Sequence, residues 1–196
     1  MANRREFLHL FKKPVAQNLE GAHHVVRPPY GLGESLFQSE CTVCEDQRCV
    51  AGCEEGIILI GADHTPILNF TQNGCTFCEA CAKACEESGH KALNLAYPGY
   101  TNRVNAEFRI ATEGCVAHHG VICFSCKEPC LEDAILFNGM FNPVIDMDLC
   151  TGCGFCLHRC PTKAISYFAV PMKEIKEEYR FPKATLEGMS TPSMVG

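Results

Sequence analysis

Apolar positions in this chain come in short bursts and never in long runs. Residues 57–60 (Ile-Ile-Leu-Ile) are followed by a polar stretch, Gly61-Ala62-Asp63-His64-Thr65, and by a second burst from Pro66 to Phe70. Two bursts flanking a polar loop predict a β-hairpin. The plan returns at residues 134–137, a turn at Asn138-Gly139 and residues 143–146, where Asn-Gly suits the positive backbone dihedrals of a tight turn. Pro66-Ile67-Leu68 and Pro143-Val144-Ile145 are corresponding strand openings. Residues 92–95 and 164–168 read as short strands that pair with segments upstream, and Phe108-Arg109-Ile110 as a strand entering the second of two repeated ββ/α units. Outside these units, Phe7, Leu8, Leu10 and Phe11 form the apolar face of a short amphipathic helix. The stretch 15–37, with Arg27-Pro28-Pro29-Tyr30-Gly31, is expected to be extended because consecutive prolines oppose helix. It reads as a linker or as a docking segment. Beyond Val170, Lys173, Glu174, Lys176, Glu177 and Glu178 replace the apolar bursts, which predicts a partial helix and a mobile tail.

Composition changes what holds such units together. The chain has 196 residues, 46% of them hydrophobic, with sixteen cysteines and no Trp, so its interior must be organised around sulfur. Disulfides would require export. The Arg4-Arg5 start imitates a twin-arginine signal, but Lys12, Lys13, Gln17, Asn18 and Glu20 leave no apolar core to insert. No run approaches the ~18 apolar residues of a membrane span. A cytoplasmic chain with reduced thiols is therefore expected, and metal becomes the main explanation for the cysteines. The net charge of −6 speaks against a nucleic-acid surface and for a basic patch on a partner protein.

The cysteines fall into four groups: Cys41, Cys44, Cys49, Cys53; Cys75, Cys78, Cys81, Cys85; Cys115, Cys123, Cys126, Cys130; and Cys150, Cys153, Cys156, Cys160. None is left over. The longest interval between groups runs from Cys85 to Cys115, so groups one and two pair, as do three and four. Groups two and four read CxxCxxCxxxC, which offers three sulfurs from one loop to a 4Fe-4S cubane and sends the fourth to the neighbouring cluster, as in two-cluster ferredoxins. Gly152 and Gly154 let the group-four loop turn its N–H groups inward, and Cys160-Pro161 completes the signature. Groups one and three carry longer spacers but keep four sulfurs. If the insertions bulge outward, the ferredoxin pattern assigns Cys41, Cys44, Cys49 and Cys85 to one cluster, and Cys75, Cys78, Cys81 and Cys53 to its neighbour. The second half follows with Cys115, Cys123, Cys126 and Cys160, then Cys150, Cys153, Cys156 and Cys130.

The expected fold is α+β: tandem bacterial-ferredoxin-like halves, with small two-stranded sheets and short helices around four 4Fe-4S clusters. The division is an N-terminal helix and extended segment (1–38), a first half (39–97), a linker (98–114), a second half (115–170) and a tail (171–196). Four zinc sites are the competing reading, but zinc usually takes two separated CxxC pairs. Three clusters is the other, given the irregular groups. His118-His119 lies in the group-three insertion, where a solvated loop competes with a ligand role; Glu45, Asp46 and Glu54 flank group one and either tune a potential or simply face water. No nucleophile-base pair, phosphate loop or dinucleotide fingerprint makes the chain an enzyme.

The Arg4-Arg5 start, Arg27-Pro28-Pro29, the order of the four groups and CVAHHGVICFSCKEPC as group three resemble the NapF family of ferredoxin-type proteins from bacterial periplasmic nitrate reductase systems. The resemblance covers about residues 4 to 170; the longer group-one loop and the C-terminal tail depart from it. It implies a cytoplasmic protein that associates with the catalytic nitrate reductase subunit before export and assists its maturation. Spacing alone supports reversible one-electron transfer, so a plain electron carrier with a redox partner protein, or an iron-sulfur subunit of another oxidoreductase, are the alternatives.

Overall fold

Alternating burial along the apolar bursts produces three antiparallel pairs of strands in a computed structural model, which describes residues 25–96 and 102–172. Strand β1 (Ile58–Ile60) pairs with β2 (Pro66–Leu68) in the register Ile58 to Leu68. Strand β3 (Ala106–Ile110) pairs along its whole length with β6 (Ile165–Ala169), and β4 (Ile135–Asn138) pairs with β5 (Phe141–Ile145). The helices are short: α1 (Glu34–Leu36) runs into a π-helical segment (Phe37–Cys41), followed by α2 (Arg48–Ala51), α3 (Ala80–Glu87) and α4 (Phe155–Arg159). Small two-stranded sheets and short helices make this an α+β protein.

A two-stranded sheet is marginal by itself, and each pair here is held by a shared core. Phe37 and Phe70 are wholly buried, and one cluster of buried residues runs from Val26 and Tyr30 through Ile57, Leu68 and Phe70 to Phe108, Ile135 and Ile165. Phe70, just beyond β2, meets Phe108 of β3 and Tyr167 of β6 at centroid distances of 5.8 and 5.3 Å. One aromatic trio therefore joins the first hairpin to the β3–β6 sheet.

The structure sharpens several expectations. The strand at 92–95 shrinks to a bridge between Gly31 and Leu93, flanked by hydrogen bonds from Leu32 N–H to Ala92 O and from Asn94 N–H to Tyr30 O. It ends early because the position opposite Leu95 is Pro29, which has no N–H to donate, and the chain turns there at Tyr30 (φ 73°). In the second hairpin Asn138 keeps strand pairing opposite Phe141, while Gly139 and Asn142 take the positive φ values, 65° and 53°. The extended stretch expected over 15–37 has no helix at 25–33 and gives way to helix from Glu34 onward. Proline restricts only itself and the residue before it, so after Gly33 the chain is free to turn helical. Residues 25–33 also line the core: Arg27, Pro28, Tyr30 and Leu32 are buried. At the other end, Met172 still packs on the core, so the chain beyond 170 starts as part of the body. The helix expected at Phe7–Phe11, residues 97–101 of the linker region and residues 173–196 of the tail lie outside the described residues. Among the described residues no helix is long and apolar enough to cross a membrane.

Candidate metal centres

All sixteen thiols are free, and the structure gathers them around four cavities. Cys41, Cys44 and Cys49 share one with Cys85. Cys75, Cys78 and Cys81 share the next with Cys53. Cys115, Cys123 and Cys126 line a third with Cys160, and Cys150, Cys153 and Cys156 a fourth with Cys130. Each cavity thus brings together four cysteines that the sequence placed in one set, the last cysteine of a group lying with its neighbour, and Cys75 also lines the fourth.

Each loop is shaped by residues in the left-handed region. Gly152 and Gly154 (φ 74° and 86°) turn the group-four loop, and a Cβ on Gly152 would lie 3.2 Å from Val104 O, so glycine is needed twice over there. Group two makes the same turns without glycine: Phe77 and Glu79 hold φ of 54° and 64°, a strain that persists only where packing over-determines it. The Tyr30 hydroxyl donates to Phe77 O at 2.8 Å, and Lys83 pairs with Glu79 across one helical turn. The group-one spacer is absorbed at Gln47 (φ 45°), which precedes α2. In group three the insertion coils into a 3₁₀ turn (Val116–His119) closed by Gly120 (φ 80°).

Electrostatics within the sets follows from crowding buried thiols. Burial pushes Cys41 up to about 12 from an ordinary 9.0, and Cys85, Cys49 and Cys44 add to the rise. Burial likewise raises Cys81 to about 12 and Cys75 and Cys126 to about 11, and raises Cys156 further still. Cys160 differs: burial alone would raise it, but hydrogen bonds from Thr162 and from the Ala164 and Ile165 backbone hold it below the ordinary value. The Ala164 N–H lies 3.3 Å from Cys160 Sγ, and a second backbone donor, Phe77 N–H, lies 3.4 Å from Cys75 Sγ.

This donor set fits iron-sulfur clusters. Each cavity is lined by at least four cysteines, the walls are largely apolar, and N–H groups are aimed at sulfur to offset thiolate charge. Zinc would need four thiolates about 2.3 Å from one point, and among the described residues no three Cys, His, Asp or Glu side chains converge on a single-ion site. The thiols stand around a volume instead. His118 and His119 do not line the third cavity; their Nε2 atoms lie 3.1 Å from Pro143 O and Glu113 O. Asp46 pairs with Arg48 at 3.2 Å, both about half exposed, while Glu54 borders the second cavity.

Sequence reasoning missed two features. Arg27 is 1% exposed and clasps Glu34, Thr65 and Pro66 O; a charged residue before Pro-Pro was its only trace. The second is contact between the two cysteine pairs: Cys75 N–H donates to Cys153 O at 2.7 Å, with Gly74 and Gly154 beside these cysteines as its trace in the sequence.

The family model for a 4Fe-4S binding domain matches residues 143–166. The chain is 38% identical over 149 residues to the ferredoxin-type protein NapF of Escherichia coli strain K12, a match covering 74% of this chain and 85% of that protein. It is 32% identical over 145 residues to the ferredoxin-type protein NapF of Haemophilus influenzae, covering 72% and 77%. A more distant relative is the ferredoxin-type protein NapG of Escherichia coli, 25% identical over 181 residues.

Proposed function

The chain belongs to the family of ferredoxin-type NapF proteins, and on that premise we propose that it is a cytoplasmic accessory protein of the periplasmic nitrate reductase system. It carries four 4Fe-4S clusters in two tandem ferredoxin-like halves and assists maturation of the catalytic subunit before export. It has no catalytic site of its own. The observation that carries the cluster reading is the gathering of sixteen cysteines into four sets of four, each completed by a cysteine from the neighbouring group. The ligands are Cys41, Cys44, Cys49, Cys85; Cys53, Cys75, Cys78, Cys81; Cys115, Cys123, Cys126, Cys160; and Cys130, Cys150, Cys153, Cys156. Each bound cluster supplies a place for one reversible electron. The chain's own contribution is to bury the thiolates, aim N–H groups at sulfur and exclude bulk water, the levers that set a potential.

Anaerobic iron and sulfide analysis tests the cluster count, with about sixteen of each per chain expected and zinc without sulfide sinking it. Capture of the catalytic subunit's unexported precursor on the loaded protein tests the accessory role. The direct hydrogen bond between Cys75 and Cys153 favours a second reading, a general electron carrier, because it brings the two pairs of sets into contact. Absence of precursor binding together with rapid electron exchange with another redox protein would establish that reading over the first.

A further inference from the structure

The two pairs of thiol sets meet at a joint that leaves no room for side chains. Gly74, immediately before Cys75, faces the 153–155 loop: a Cβ there would lie 2.7 Å from Phe155 Cγ, 2.7 Å from Phe155 N and 2.8 Å from Cys153 O. Gly154, between Cys153 and Phe155, faces back: its Cβ would lie 2.5 Å from the ring of Phe70. Two glycines, one from each partner, thus permit the approach in which Cys75 N–H donates to Cys153 O at 2.7 Å. The cavity around Cys130, Cys150, Cys153 and Cys156 is walled in part by Cys75, Thr76 and Phe77 of the other pair. Within each pair the two sets are near enough to act on one another electrostatically, Cys49 helping to raise Cys81 and Cys126 helping to raise Cys156.

Resting on the cluster-ligand reading above, we propose that Gly74, Gly154 and the Cys75–Cys153 hydrogen bond are a positioning joint that couples the two middle sets, so that the four sites act as one conductor. The spatial order is then Cys41/44/49/85, Cys53/75/78/81, Cys130/150/153/156, Cys115/123/126/160, in which groups three and four appear in reverse of their chain order. Two of the ligand cysteines, Cys75 and Cys153, are linked sulfur to sulfur by their own bonds and one short hydrogen bond. An electron crossing the joint oxidises one side by one electron and reduces the other by one. No bond is made or broken and no proton is needed. Mere packing would explain the close approach equally well but predicts no coupling, so coupling is what must be read.

The test uses the full chain, loaded anaerobically and reduced with dithionite, with EPR at two or more frequencies and iron and sulfide measured on the same samples. For the wild type the spectrum is expected to require interaction across all four sites. Gly74→Ala and Gly154→Ala, at unchanged iron and sulfide, are expected to lose the inter-pair interaction and give the spectrum of two separate interacting pairs. Gly114→Ala, whose Cβ would make an ordinary 3.4 Å contact with Ala164 beside Cys115, should keep the wild-type spectrum. Should the joint variants load poorly, the wild-type spectrum decides. A fully loaded wild type that behaves as two independent pairs overturns the joint while leaving the ligand sets standing; so do fully loaded variants with undiminished coupling. Iron short of four clusters in the wild type refutes the ligand sets and the joint together.

Discussion

Replacing Arg27 by Met is expected to release the first cluster selectively. The guanidinium is 1% exposed and forks onto Glu34, with Nε 2.9 Å from Oε2 and Nη2 on Oε1; Nη1 reaches Thr65 Oγ1 and Pro66 O; and the group lies over the Phe37 ring at 5.0 Å. The hydrogen bond from Arg27 is the main reason that the Glu34 carboxyl sits below its ordinary pKa. Removing one member of a buried pair costs about 3–5 kcal/mol. Here the carboxylates of Glu34 and Asp63 are 43% and 42% exposed, so they rehydrate, and the ion-pair part falls towards the ~0–1 kcal/mol of exposed pairs. What remains is the loss of donors to the buried Thr65 and Pro66 O, about 1–3 kcal/mol for each acceptor left unpaired. We take about 3 kcal/mol for the whole, which is about a 100-fold shift in the local opening equilibrium. The segment that opens leads through α1 and the π-helical turn to Cys41. Iron release to a chelator should therefore show a fast phase of about one quarter of the total iron, about 100-fold faster than in the wild type when release follows local opening. Arg27→Lys should fall between, because an ammonium lacks the fork that grips Glu34. A fast phase involving all the iron, or no fast phase, would refute the reasoning.

Three further outcomes follow from the same geometry. Cys53→Ser should disturb the cluster held by Cys75, Cys78 and Cys81 and spare that of Cys41, Cys44 and Cys49, with Cys85→Ser doing the reverse; loss of the same cluster in both variants, seen by EPR, excludes the crossed ligation. Glu79→Gly should raise stability by about 0.5 kcal/mol, since relief of a left-handed residue, about 1–2 kcal/mol, outweighs the backbone entropy of glycine and the exposed pair with Lys83; a lower denaturation midpoint counts against strain at that turn. In the cluster-free chain the raised thiols favour the protonated folded form, so the stability they contribute is intact below pH 9.0 and is lost as pH climbs towards about 12, the value to which Cys41 and Cys81 are pushed. Circular dichroism of that form should fade over this window, and cluster insertion near neutral pH should release protons on a pH-stat; an alkaline range without loss of signal contradicts the sign.

The elements that sequence made legible are those whose signal is local. Both hairpins could be read because apolar bursts flank turn residues, and the sixteen cysteines could be sorted because the CxxC repeats are short-range. The role of Gly120 in closing the group-three insertion was not read, whereas Gly152 and Gly154 marked the group-four turns. Their counterparts Phe77 and Glu79, and Gln47 in group one, adopt left-handed backbone under tertiary constraint and carry no mark of it. Arg27 looked like part of an extended stretch because the residues that bury it, Thr65 and Pro66, lie in the first hairpin. The strand at 92–95 was overextended because its antiparallel partner turns away at Pro29-Tyr30, opposite its far end.

The joint between the pairs was the least legible feature, and its cause is general. In the proposed ligand sets a crossed cysteine ties group one to group two and group three to group four, and the intervals between the groups announce those ties. Nothing comparable ties Cys75 to Cys153: their contact is a backbone hydrogen bond between loops of identical spacing, and backbone donors carry no residue code. What selects it is exclusion. Of the positions flanking these cysteines, Gly74 and Gly154 are those where a methyl would collide with the opposing loop or with Phe70, and Phe70 is itself fixed by Phe108 and Tyr167. The aromatic trio thus sets the spacing that the glycines permit, and the order of the four thiol sets in space follows from packing in the core as much as from the cysteines that define them.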